Sequence, residues 1–177
     1  MVSDISSKTI SLRLATTDDA EFIFQLRVND KLNKYISSID GDIESQKKWL
    51  ASYKIKEKNN LEYYYIIMRN DSKLPIGTVR LYDFINHKES FCWGSWILNE
   101  NKTRSAAIES ALLIYEVGFM HLGFKQCHFD VRKNNIRVID FHKKSGAQLV
   151  NENEIDLFFV YTHDAFLKLK EKYKHFL

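Results

Sequence analysis

The chain has 177 residues, of which 45% are apolar and 14% aromatic, enough to enclose a sizeable core and too many for a disordered tract. Its 26 basic residues are spread among 23 acidic ones, for a net charge of +3. That excludes a basic footprint for nucleic acid and leaves only a mild bias toward polyanionic ligands. From the N-terminal side, Ile10–Leu14 alternates apolar and polar residues as a half-buried strand does. Thr16-Thr17-Asp18-Asp19 is a helix-capping cluster, and Ala20–Asn29 follows as a helix that brings Ile23, Leu26 and Arg27 near one another. Leu32–Gly41 reads as irregular. Ile43–Lys54 reads as a second helix anchored by Trp49, and the lysine-rich run to Lys58 as a solvated face before a loop at Asn59-Asn60.

Three strands are expected next, at Glu62–Arg69, Ile76–Phe84 and Ser90–Leu98, joined by turn chemistry at Asn70–Lys73 and Asn86–Lys88 as an antiparallel meander. A long helix, Thr103–His121, carries the stripe Ala107, Ala111, Ile114 and Gly118, small enough for close packing on a sheet. A strand at Gln126–Arg132, a short helix after Asn135, a strand at Leu157–Tyr161 and a helix at Asp164–His175 complete the order. The unit from Ser90 to Arg132 is expected to be parallel with a right-handed crossover. The pattern alone gives an α/β (α+β) fold with an antiparallel first half and a parallel strand–helix–strand unit. Length, a single proline and six glycines point to one domain spanning 1–177, without linkers or repeats.

Several function classes drop out. Residues 1–9 lack the charged-then-apolar layout of a secretion signal, and no apolar run reaches membrane-spanning length. Cys92 and Cys127 sit in strand-like contexts without metal spacing, as buried free thiols in a reducing cytoplasm would. No metal pattern is found among the six histidines, and there is no G-x-S-x-G for a serine nucleophile. The expected protein is cytoplasmic, takes a small-molecule partner, binds no nucleic acid and inserts in no membrane; a homodimer is left open.

The most informative stretch is Asn135–Ala147, NIRVIDFHKKSGA. Asn135 suits an N-cap whose side chain satisfies a free N–H, and Gly146 suits the left-handed residue past the helix end. Asn135, Val138, Ile139 and His142 fall at i, i+3, i+4 and i+7, on one face. Read alone, this is a capped helix with an interior His. A second stretch, Lys102-Thr103-Arg104-Ser105-Ala106-Ala107, lies between a strand and a helix, where unsatisfied N–H groups and the positive dipole end suit phosphate. Lys102 and Arg104 add charge, and Ser105 adds a hydroxyl donor.

The N-x-R-x-I-x-x-H-x-K-x-G pattern resembles the last motif of the GCN5-related N-acetyltransferase (GNAT) superfamily, with His142 at the place of its usual Tyr and Ala147 at the place of a Phe. The resemblance extends in element order from about Ile10 to Val160 and implies the GNAT fold, with acetyl-CoA as cosubstrate and no metal. It implies that Lys102–Ala107 grips the coenzyme A pyrophosphate in a degenerate form of the family's glycine loop, with Asn135 nearby. It also implies that Gly94-Ser95-Trp96-Ile97 runs beside the pantetheine arm, its backbone N–H groups receiving the acetyl carbonyl, and that His142 assists the departing thiolate by titrating near working pH.

Many relatives carry a Glu two residues before that Gly, and here it is Cys92, so the base must be sought elsewhere. Alternation on Gln126–Arg132 points His128, Asp130 and Arg132 one way, making Asp130 or His128 a candidate base. A water relay, or an Asp130–Arg132 ion pair with no part in the chemistry, are the alternatives. On the acceptor side Arg27, Asn29 and Tyr82 are the choices for an anionic substrate, with Trp49 and Tyr64 as further aromatic candidates and Arg80 as a second-choice cation whose alternative is to face solvent. The strand and helix motifs resemble acetyltransferases of surface-polysaccharide pathways, which implies a nucleotide-linked amino sugar as acceptor. A protein N-terminus, a polyamine or an antibiotic is the enzymatic alternative, and a non-catalytic acyl-CoA-binding module the other.

Overall fold

In the computed structural model, which describes residues 4–32, 34 and 41–177, a single mixed sheet runs through the molecule. Its strands are β1 (Ile5–Ser6), β2 (Ile10–Leu14), β3 (Tyr63–Arg69), β4 (Pro75–Ile85), β5 (Ser90–Leu98), β6 (Gln126–Arg132), β7 (Gln148–Glu152) and β8 (Asp156–Thr162). Their order is β1-β2-β3-β4-β5-β6-β8-β7. Only β5 and β6 are parallel neighbours, and the other pairs are antiparallel. The helices are α1 (Ala20–Val28), α2 (Ile43–Lys58), α3 (Ala106–Glu116), α4 (Ile136–Ser145) and α5 (His163–Lys172).

Alternation along β3 divides the core in two. Tyr64 and Ile66 face α1 and α2, where Ile23, Leu50 and Tyr53 bury against them. The Tyr53 hydroxyl accepts the Tyr64 N–H at 2.7 Å and so fixes α2 to β3. Tyr63, Tyr65 and Ile67 face the other way, into the larger cluster with α3, α4 and α5. There Tyr115 of α3 stacks on Tyr161 of β8 at 4.4 Å. The Phe91 ring fills the space over Gly118, where an added Cβ would fall 2.2 Å from it. Next to that contact the helix widens into a π-turn over Val117–His121.

The structure corrects several boundaries. The lysine-rich run belongs to α2, which continues to Lys58. The α3 helix starts at Ala106 rather than Thr103, and β6 pairs antiparallel with β8 across all seven of its residues. Strand β7 is absent from the sequence-based reading because Gln148–Glu152 is exposed at every position and shows no period of two. Strand β1, two residues long, leaves no pattern either. The Leu32–Gly41 stretch falls almost wholly outside the described residues.

Candidate active site

Pairing between β5 and β6 is confined to Ser90 with Gln126 and Phe91 with Cys127. Beyond these two pairs the strands separate, because each is held by a different neighbour. Strand β6 follows β8, while β5 follows β4 through a bulge where Thr78 faces Ile97 but Arg80 faces Gly94. The extra residues put Ser95 at φ +48, and its carbonyl accepts the Thr78 hydroxyl at 2.9 Å. A bulge bends its strand and increases its twist. The result is a cleft of about 320 Å³ through the middle of the sheet, lined by Trp93–Trp96 of β5, Phe129–Arg132 of β6, Tyr82, Cys92, Asn135, Val138 and His142. Of the residues named from sequence, Ser95, Trp96, Asn135, Tyr82, Asp130 and His142 come together here. Ile97 turns into the core.

The back wall is aromatic. His142 is 4% exposed, with its ring centroid 4.2 Å from Phe129, 5.3 Å from Phe141 and 5.6 Å from Trp93. Burial pushes its pKa down to about 3, from an ordinary 6.5. This overturns the expectation that His142 titrates near working pH: the ring is neutral there. Its Nδ1 is buried with no hydrogen-bond partner among the described residues. Trp96, by contrast, is pinned by donating Nε1–H to Ser110 Oγ at 3.0 Å. Gly146 ends α4 with φ +100, as expected. Asn135 occupies the N-cap position, but its side chain makes no capping bond.

The front wall carries Tyr82, Cys92, Gly94 and Asp130. A Cβ on Gly94 would lie 2.8 Å from the Tyr82 hydroxyl, so the glycine gives that ring its place. Burial pushes the Cys92 thiol up to about 12 and the Tyr82 hydroxyl well above its usual range. Neither is ionised at neutral pH. Asp130 is exposed, and Arg132 pairs with Asp156 at 3.4 Å, which removes the expected Asp130–Arg132 pair. His128 is occupied elsewhere, between Asp83 (Nε2 to Oδ2, 3.0 Å) and Ser90 (Nδ1 to Oγ, 2.6 Å).

Beside this wall Arg80 lies between the rings of Trp49 and Tyr82, 5.2 and 4.9 Å from their centroids, and pairs with buried Glu62. Lys56 reaches the same carboxylate at 3.1 Å. Arg80 therefore does not face solvent, because stacking and the ion pair hold it against the sheet. Arg27, on the last turn of α1, is held below its ordinary pKa by burial, with the Arg80 charge adding to the effect and Tyr64 opposing it. The Arg80 guanidinium thus stands next to Tyr82, and its charge is felt at Arg27. Asn29 is exposed past the end of α1, where its Oδ1 accepts the Lys31 N–H at 3.0 Å and closes the turn.

Lys102–Ala107 lies outside the cleft lining, at the junction of β5 and α3. Lys102 and Arg104 are exposed, while Thr103 and Ser105 are half-buried. Thr103 Oγ1 bonds Thr9 Oγ1 at 2.7 Å, and Thr9 in turn bonds Glu109. The Ser105 Oγ lies 3.5 Å from the same Thr9 hydroxyl. The expectation that Ser105 offers its hydroxyl outward is overturned, because both hydroxyls are engaged beneath the loop. Glu109 itself was passed over in the sequence because its partners lie about a hundred positions away.

Residues 9–148 match the model of the acetyltransferase (GNAT) domain. The chain belongs to the GNAT acetyltransferase family. This region contains both walls of the cleft, the α3 junction and the His142 helix. The structure superimposes on apo FdhC, described as a nucleotide-linked sugar GNAT, with a TM-score of 0.92 and 52% identity over 98% of each chain. It also superimposes on a ribosomal-protein-S5-alanine acetyltransferase from Vibrio fischeri (TM-score 0.78, 14% identity, 91% of this chain and 97% of that one). A spermidine N-acetyltransferase from Vibrio cholerae, in complex with CoA and spermine, gives 0.76 and 16% over 89% and 98%. At those identities the likeness extends to the fold alone. No curated protein sequence matches the chain significantly.

GNAT domains take their acetyl group from acetyl-CoA, and the residues present fit it. The α3 junction has small residues, two exposed cations and N–H groups without intrahelical partners. The cleft lies where β5 and β6 are no longer paired, and its back wall holds the His142 Nδ1, which has no hydrogen-bond partner among the described residues. Among the described residues no cluster is placed to hold a metal ion, and no helix is long and apolar enough to cross a membrane.

Proposed function

We propose that this chain transfers the acetyl group of acetyl-CoA to the primary amine of a nucleotide-linked amino sugar, acting as one domain in the cytoplasm. The observation that carries the acceptor class is the 52% identity with FdhC over nearly the whole of both chains. Arg27 on the last turn of α1 supports it, since a nucleotide sugar brings a diphosphate that guanidinium groups bind well.

The reaction joins an unprotonated amine to a thioester carbonyl. The chain must therefore take a proton from the amine, support charge on the carbonyl oxygen and assist the sulfur as it leaves. Of the cleft's ionisable groups, Cys92 and Tyr82 are held protonated and His142 is too weak a base. We assign the proton to Asp130, directly or through a water, and its exposure lets it pass that proton to solvent. Backbone N–H groups of β5 that β6 leaves unpaired, at Gly94–Trp96, would support the oxyanion. Neutral His142, with its proton assigned to Nε2, would donate a hydrogen bond toward the sulfur. Orienting both reactants in one cleft supplies much of the remaining rate.

The test is thiol release from acetyl-CoA across UDP- and dTDP-linked amino sugars, N-terminal peptides and spermidine. Turnover is expected with at least one amino sugar. Arg27→Ala is expected to raise the KM for that sugar while the acetyl-CoA KM stays near normal, the signature of lost acceptor binding. Turnover of peptides or spermidine with none on any amino sugar would overturn the assignment.

A further inference from the structure

Glu109 is fully buried in the first turns of α3, yet nothing in the chemistry of acetyl transfer calls on it. Burial alone would raise its pKa, but bonds from Ser105, Ser7 and Thr9 together hold it below the ordinary carboxylate value. It is therefore ionised and can only accept hydrogen bonds. It receives the Ser7 hydroxyl at 2.6 Å, the Thr9 N–H at 2.7 Å and the Thr9 hydroxyl at 2.6 Å. A hydroxyl has one proton. Because Thr9 gives its own to Glu109, the 2.7 Å contact between Thr9 and Thr103 requires Thr103 to be the donor. Ser105, whose Oγ is 3.5 Å from the same Thr9 hydroxyl, is a donor for the same reason.

The buried charge thus fixes the direction of every proton in the network. The hydroxyls of Thr103 and Ser105 point inward, and neither is free to donate to a phosphate. What the junction offers outward is backbone N–H groups and the side chains of Lys102 and Arg104. The network also fastens that junction to the turn between β1 and β2, about a hundred residues earlier. Glycines are few here, so the loop's shape needs another restraint.

We infer that Glu109 is a positioning residue for the pyrophosphate grip: through Thr9, Thr103 and Ser105 it holds the start of α3 with its N–H groups presented to the ligand. This rests on the acetyl-CoA reading above, and the two can fail separately. Titration calorimetry of the full chain with CoA, and with pantetheine, which lacks the pyrophosphate, distinguishes them. In Glu109→Gln, CoA is expected to bind roughly tenfold more weakly, about the effect of losing one hydrogen bond to a charged group, while pantetheine binding is unchanged. Ser105→Ala is expected to weaken CoA binding in the native chain and to add little in the Glu109→Gln background, because the hydroxyl acts through the carboxylate. If Glu109→Gln fails to fold, Thr9→Val removes the hydroxyl that joins Thr103 and Ser105 to Glu109 while leaving the Ser7 hydroxyl and the residue 9 N–H on the carboxylate, and the same CoA-selective loss is expected. Wild-type CoA binding with no selective loss in the variants, or an equal loss for pantetheine, overturns the inference. No CoA binding by the wild type overturns the acetyl-CoA reading and the inference with it.

Discussion

Glu109 and His142 are sealed from solvent to nearly the same degree, at 0% and 4% exposure, and their surroundings treat them in opposite ways. Around Glu109 the carboxylate, two threonines and two serines satisfy one another. Around His142 the partners are rings, and the buried imidazole Nδ1 has no hydrogen-bond partner among the described residues. A buried polar atom without a partner costs roughly 1–3 kcal/mol, so such atoms persist where something offsets them. The difference separates scaffold from reaction centre. The Glu109 carboxylate is satisfied by the chain's own donors, whereas the His142 Nδ1 in the cleft has no hydrogen-bond partner among the described residues.

If the cleft is the reaction centre, its largest effect belongs to the group that moves a proton. Asp130→Asn is expected to lower kcat by roughly 10²–10⁴-fold. CoA affinity measured by calorimetry should be unchanged, since the junction is untouched. A variant with normal kcat would move the proton to solvent alone. Next comes Gly94→Ala, whose Cβ must displace the Tyr82 hydroxyl. A misplacement of this order costs up to about 10²-fold in kcat/KM, and Tyr82→Phe in the same chain should restore part of it. Failure of that rescue would mean that the Tyr82 contact is not what the glycine protects.

The sequence made the reaction end more legible than the scaffold end. His142, Asn135 and Gly146 are local, within one helix, and the helical period put them on one face. The β5–β6 unit was equally readable, because a strand, a helix and a strand leave distinct periods. The gap between those strands was not, since it depends on a bulge at Ser95 and on which neighbour each strand follows. The Glu109 network is hidden for a different reason. Its partners come from segments about a hundred residues apart, and a Glu early in a helix reads as ordinary dipole chemistry. Whether Arg80 faces the acceptor side or solvent stays open in the sequence, because alternation on a strand says which face a side chain takes, not that Trp49 and Tyr82 enclose it there. The neutral state of His142 follows from the aromatic wall, which only the fold assembles.

A smaller effect separates His142 as hydrogen-bond donor from His142 as acid. A neutral donor to a developing charge is worth about 1.5–3 kcal/mol, so His142→Phe should cost roughly 10–10²-fold in kcat. The acetyl-CoA KM should change little. A loss well beyond that range would restore full proton transfer to this ring.

The smallest effect is on stability. With a folded pKa of about 3 against 6.5, the unfolded chain takes up the proton first as pH falls. Native stability is therefore undiminished by this group above about pH 6.5 and declines between there and pH 3, by up to about 1.4 kcal/mol per pH unit. Carboxylates with lowered pKa, such as Glu109 and Asp19, add their losses only as pH falls through their ordinary values of 4.5 and 3.8. The slope between pH 6.5 and 5 thus reports His142, and urea unfolding of His142→Phe should lack it. An unchanged slope would assign the acid sensitivity elsewhere.

The most direct test of the contrast between the two ends is nitrogen NMR of the His142 imidazole, followed with pH in the free chain and again with saturating CoA. The ring should stay neutral from pH 8 down to about pH 4, and its resonances should move when CoA enters the cleft. A ring that protonates near pH 6.5 and does not respond to CoA would contradict the account, making His142 an ordinary helix-face residue and leaving the cleft without its back wall.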